Sequence, residues 1–192
     1  MSSSVVSQPS SVHPRIQELL DYLELHSREV REAVASVPAK LREIKPGDGG
    51  WSVAEVVEHL ALIEKRVALL LTRQVAAARA SGVGPDTETS SVVANFANPD
   101  GVVDRTRKIV SPEPVRPTGA LDTESAQQAL DQSRAAIASA LREANGVSLE
   151  NLVQSHPVFG PLNMYHWIVA TALHEDRHAA QIREIGKAFG AS

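Results

Sequence analysis

A chain of 192 residues, 43% hydrophobic and 22% charged, has the composition of one globular domain with a single well-buried core. Nineteen Lys and Arg against 23 Asp and Glu give a net charge of −4, which does not suggest a nucleic-acid or anionic-membrane partner; 4% aromatics offer no stacking platform for single strands. The absence of cysteine excludes disulfides, a protein thiolate nucleophile and every Cys-based metal site.

Residues 1–12 are rich in serine and read as a disordered tail. With no basic n-region and no apolar h-region, they do not spell a signal peptide. No apolar run approaches the ~18 residues of a membrane span, so the expectation is a cytoplasmic, non-membrane protein. The domain is expected over 13–192. Pro14 suits a first helical turn, and Ile16, Leu19, Leu20, Leu23 and Val30 recur at helical spacing, predicting a helix to about Ser36. Residues 45–50 (KPGDGG) are punctuation for a loop. Ser52 and Glu55 then spell a capping box. The stripe from Val53 through Leu60 to Leu71 predicts a second helix ending near Ala80, before Ser81-Gly82.

Residues 82–120 carry five prolines and no sustained helical period. A connection this long inside a compact domain is commonly functional, and it is the candidate lid; Thr106–Val110 reads as a short strand-like piece. A third helix is predicted from Asp122 or Thr123 to about Ala144, and a short one over Ser148–Gln154. His156–Leu162 reads as a turn. Asn163 can cap a final helix running from Met164 to about Lys187. Four long amphipathic helices without a convincing strand predict an all-α four-helix bundle.

The final helix contains His174-Glu175-Asp176-Arg177-His178, which matches H-E-x-x-H, the metalloprotease spelling. At 100° per residue, His174 and His178 share the stripe of Met164, Trp167, Ile168, Thr171, Ile182 and Ile185. Two imidazoles one turn apart on an inward face suit a shared metal ion. A protease also needs a third ligand downstream. Residues 179–192 hold no histidine, and their one carboxylate, Glu184, points roughly 120° away from His178 on the same helix. The protease reading is therefore rejected, and the third ligand is sought upstream. His59, on the second helix at the edge of its apolar stripe, is the candidate. Three histidines with an open position are the pattern of a catalytic rather than a structural centre.

WSVAEVVEHL with His59, HPVFGPLNMYHWI, and HEDRHAAQI with His174 and His178 together resemble the DinB-like, YfiT-like helical-bundle superfamily over about residues 13–189. The resemblance implies an up-down-down-up bundle. It implies one divalent metal, nickel or zinc, on His59, His174 and His178, with water in the open positions. It also implies homodimers and a small-molecule substrate; Arg177 matches a recurrent arginine just before the last ligand. For activity it implies either hydrolysis or S-transfer using a low-molecular-weight thiol of bacillithiol or mycothiol type.

Both chemistries use the same ion, which lowers the pKa of a bound water or thiol. Glu55 and Glu175 are the candidate catalytic carboxylates, with capping and a solvated helix charge as the competing roles. Arg177 is a candidate for binding an anionic substrate or cofactor, against structural pairing with Asp176 or a neighbouring helix. His156, before Pro157, is a candidate for the site mouth, against hydrogen bonding to backbone. A non-catalytic metal- or ligand-binding bundle is the alternative to an enzyme.

Overall fold

The computed structural model describes residues 11–47, 49–107 and 109–190. Four long helices carry the fold: α1 (Pro14–Ser36), α2 (Val53–Ala80), α4 (Thr123–Glu143) and α5 (Met164–Ala188). A one-turn helix, α3 (Pro99–Val103), lies in the connection between α2 and α4. Each long helix starts where a side chain can take up an orphan backbone N–H. Ser52 and Glu55 form the reciprocal box on α2, the Glu55 N–H donating to Ser52 Oγ at 3.2 Å and the Ser52 N–H to Glu55 Oε2 at 2.9 Å. Asp122 caps α4 by accepting from the Ser125 N–H, and Asn163 caps α5 by accepting from the His166 N–H, both at 2.8 Å. Gly82 and Gly146 follow α2 and α4 with φ of +75° and +88°, the left-handed conformation that lets a chain leave a helix without a Cβ clash.

Cross-links fix the helix directions. Ser133 Oγ donates to the Ala61 carbonyl, and Arg79 Nη2 donates to the carbonyls of Glu143 and Asn145; α2 and α4 therefore run parallel. Arg15 lies over the Tyr165 ring, His26 meets Asp176, and Arg183 meets Glu29, so α1 and α5 also run parallel. His59 beside His178 and Glu64 beside Glu175 make α2 and α5 antiparallel. This is the up-down-down-up bundle, and the parallel α2–α4 step accounts for the long connection between them.

Three structural differences from the sequence reading concern short elements. Ser148–Gln154 is not a helix. Val153–His156 (β1) pairs antiparallel with Gly160–Asn163 (β2), Val153 opposite Asn163. The expected turn at His156–Leu162 thus becomes the tip and return strand of a hairpin, and Gly160 at φ +72° supplies the conformation the return needs. The described residues of 106–110 form no strand. Of the expected N-terminal tail, residues 1–10 lie outside the described residues. Ser11 and Val12 are docked, the Ser11 carbonyl accepting from Asn145 Nδ2 and Val12 packing on the core.

The core falls into two apolar clusters. One holds Leu19, Leu71, Ile137, Leu141 and Ile168; the other holds Val34, Val57, Leu60, Leu130 and Ile182. Between them, at mid-height, lies a polar layer of Ser27, Glu64, Arg134 and Glu175. Glu175 is 0% exposed and Glu64 1%. Glu175 Oε1 accepts from Arg134 Nε at 2.6 Å and from its Nη2, and Glu64 lies 3.6 Å from the same guanidinium. Burial and the neighbouring Glu175 charge push the Glu64 carboxyl well above the usual carboxylate range. One guanidinium thus serves two buried carboxyl groups, which limits the cost of burying their charge. Among the described residues, no helix is long and apolar enough to cross a membrane.

Candidate metal centre

The second helix and the last one bring three imidazoles together. His174 Nε2 and His178 Nε2 are 3.0 Å apart, one turn apart on α5. His59, from α2, sits with its ring centroid 5.4 Å from that of His174 and 4.9 Å from that of His178. One nitrogen from each ring falls within 4.8 Å of the other two. His59 is 4% exposed and His178 6%, so His59 lies deeper than the edge of its helical stripe suggests.

Second contacts indicate which nitrogen two of the rings offer. His59 Nδ1 lies 2.6 Å from the Val115 carbonyl, an acceptor only, so Nδ1 carries the hydrogen and Nε2 keeps its lone pair. His178 Nδ1 lies 2.8 Å from Gln181 Oε1, with the same consequence. Orientation of a ring through its distal N–H is the arrangement found behind metal-bound histidines. Burial, then the neighbouring His59, Arg177 and His156, push His174 down to about 3. Burial pushes His59 below its usual value and His178 well below. The rings are therefore neutral at neutral pH, the protonation state a metal requires. For ligands about 2.1 Å from an ion, neighbouring donors are separated by about 3.0–3.4 Å. The His174–His178 nitrogen spacing meets that range, and the donor set fits a borderline divalent ion such as zinc or nickel.

The other residues expected at the site are engaged as follows. Glu175 points into the polar layer, onto Arg134. Glu55 closes the capping box and meets Lys45 Nζ at 2.8 Å. Burial raises its pKa, but Lys45 and Ser52 outweigh burial and leave it below the usual range. Arg177, 8% exposed, donates to the carbonyls of Val102 (3.5 Å), Asp104 and Arg107 (2.7 Å), clamping the α2–α4 connection onto α5. His156 accepts at Nδ1 from the N–H groups of Val158 (3.1 Å) and Phe159 (3.3 Å). Its ring, 4.6 Å from that of Trp167, is pushed down to about 4 by burial. Glu184, the rejected protease ligand, is held by Arg105 at 2.8 and 2.5 Å.

Sequence reasoning missed Val115, Gln181 and Glu58. Gln181, three residues after His178 on the same helix, was within reach of helical spacing. Val115 contributes only a backbone carbonyl and left no signal.

An up-down-down-up bundle with three neutral imidazoles converging from α2 and α5 defines a helical-bundle protein with a candidate metal centre. The chain belongs to the DinB superfamily, whose family model matches residues 14–182. It is similar to the uncharacterized protein YuaE of Bacillus subtilis (strain 168), with 28% identity over 142 residues that cover 73% of this chain and 80% of that protein. No solved structure matches the chain.

Proposed function

We propose that the protein is a metal-dependent enzyme acting on a small molecule, and that its reaction is S-transfer from a low-molecular-weight thiol of bacillithiol or mycothiol type. The observation that carries the metal is the convergence of His59, His174 and His178 with their Nδ1–H groups committed at His59 and His178. A divalent nickel or zinc ion held there supplies Lewis acidity, which makes a bound thiol or water more acidic.

The protein's own groups are compatible with the thiol. Glu175 is committed to Arg134 and Glu55 to Lys45 and Ser52, so neither candidate carboxylate is free to take a proton from water. A thiol of free pKa about 8.5 held by such an ion would release its proton to solvent without a protein base. The chain brings no cysteine of its own, so the sulfur comes from the small molecule. The three histidines would hold the ion, the β-hairpin places His156 beside Trp167, and Arg177 fixes the connection onto α5.

The test is elemental analysis of untagged protein beside His59→Ala and His178→Ala. About one nickel or zinc per chain in the wild type, lost in both variants, supports the centre. Thiol-conjugation and ester-hydrolysis assays on the loaded protein follow. Conjugation that depends on the three histidines supports the transferase; ester hydrolysis alone moves the assignment to a hydrolase. Metal without turnover in either assay leaves a metal-binding bundle, and no metal after incubation with Zn²⁺ or Ni²⁺ overturns the proposal.

A further inference from the structure

We infer that Glu58 is a positioning residue for His59, acting through residues 115–119 of the α2–α4 connection. The inference rests on the metal-centre reading in one respect only, that His59 Nε2 is a ligand.

Glu58 is 5% exposed, and both of its oxygens are turned to the connection. Oε1 accepts from the Thr118 N–H at 2.9 Å and the Thr118 hydroxyl at 2.7 Å; Oε2 accepts from the Gly119 N–H at 3.1 Å. The next residue on α2, His59, donates from Nδ1 to the Val115 carbonyl at 2.6 Å. Two consecutive side chains of one helix therefore grip the same five residues of connection. The Val115 carbonyl orients the His59 ring, and this carbonyl belongs to a short 3₁₀ turn, Glu113–Val115, which α2 also holds through Arg66 Nη2, donating to the Pro114 carbonyl at 3.3 Å. The three bonds to the Glu58 carboxylate are charge-assisted, and so among the stronger contacts available to the strap.

An independent feature shows how closely the strap lies on α2. Gly119 has φ +70°, and a Cβ built there would come within 3.0 Å of Glu55 Oε1. A side chain at residue 119 would be strained by this φ and would crowd the Glu55 carboxylate. Loss of the Glu58 anchor leaves the turn on Arg66 and the buried Val115 side chain alone, and so loosens the Val115 carbonyl and with it the rotation and tautomer of the His59 ring. Outer partners of metal-bound histidines typically contribute 10–100-fold to affinity, and Glu58 acts one step beyond such a partner.

The experiment compares wild type with Glu58→Ala, Glu58→Gln, Gly119→Ala and the control Ser52→Ala, which weakens the α2 cap without touching the strap. Zn²⁺ affinity is measured by chelator competition, and the tautomer of His59 is read from ¹⁵N shifts in the metal-free protein. The expected result is Zn²⁺ binding about tenfold weaker in Glu58→Ala, with His59 becoming a mixture of tautomers. Glu58→Gln, which keeps an acceptor, should fall between, and Gly119→Ala should shift both readouts in the same direction as Glu58→Ala. Ser52→Ala should leave both unchanged. A folded Glu58→Ala protein with wild-type His59 tautomer overturns the inference, as does a loss of affinity matched by Ser52→Ala. If the wild type takes up no Zn²⁺, the metal-centre reading fails while the tautomer comparison still decides the role of Glu58.

Discussion

Arg134→Met removes the one guanidinium that serves the polar layer and leaves an apolar chain of similar reach. Glu175, at 0% exposure, then faces the Glu64 carboxyl without Arg134, its hydrogen-bonding cation. A buried carboxylate in that position takes up a proton rather than stay charged. Holding a carboxyl of ordinary pKa about 4.3 protonated at pH 7 costs about 4 kcal/mol, in line with the roughly 3–5 kcal/mol lost when one partner of a buried pair is removed. In a chain of this length that lowers Tm by about 10 °C. The cost depends on pH. The unfolded chain takes up the same proton near pH 4.3, so the penalty shrinks to about 1 kcal/mol at pH 5. Urea unfolding followed by circular dichroism at pH 7 and pH 5 measures both values. Adding Glu175→Gln to Arg134→Met should recover much of the loss at pH 7. A penalty under 1 kcal/mol at pH 7, or one that does not change with pH, would refute the assignment of Glu175 to the layer's ion pair.

Two further outcomes are expected. In metal-free protein, His174 at about 3 and His178 well below its usual value bind protons in the unfolded chain near pH 6.5 but not in the fold. Stability should be full above pH 6.5 and fall below it, by at most about 1.4 kcal/mol per pH unit per histidine; urea unfolding from pH 7.5 to 4.5 should show a shallower slope in His174→Ala/His178→Ala. Arg177→Gln should release the carbonyls of Val102, Asp104 and Arg107, costing about 2 kcal/mol and speeding amide exchange in α3 well beyond any change in α4.

Local chemistry made the long helices legible. Pro14, the Ser52–Glu55 box, Asp122 and Asn163 each mark a start that the structure reproduces. The hairpin was not legible, because two four-residue strands, with Pro157 between them and Pro161 inside the second, carry no period long enough to separate from a turn. The convergence of His59 with His174 and His178 followed from placing α2 beside α5. The role of Glu175 did not, because α5 is buried around most of its circumference, from Met164 and Tyr165 to Ile182 and Ile185. On such a helix a wheel identifies no single inner face. The partners of Glu175 come from α2 and α4, and sequence spacing within α5 says nothing about them. His26 is likewise buried against a partner from another helix, Asp176 of α5.

The parallel pairs α1–α5 and α2–α4 are nested, the inner pair lying wholly between the members of the outer pair along the chain. Neither pair can form by zipping adjacent segments together. Each must first close a long loop, and closing α2 onto α4 shortens the effective loop that α1 and α5 must then close. The inner pair is therefore the expected early unit of folding, with α5 arriving last and bringing two of the three imidazoles to the third. On that order the histidine cluster is a marker of completed assembly. Any ion it holds acts as a latch on the outermost closure and slows unfolding far more than it speeds folding.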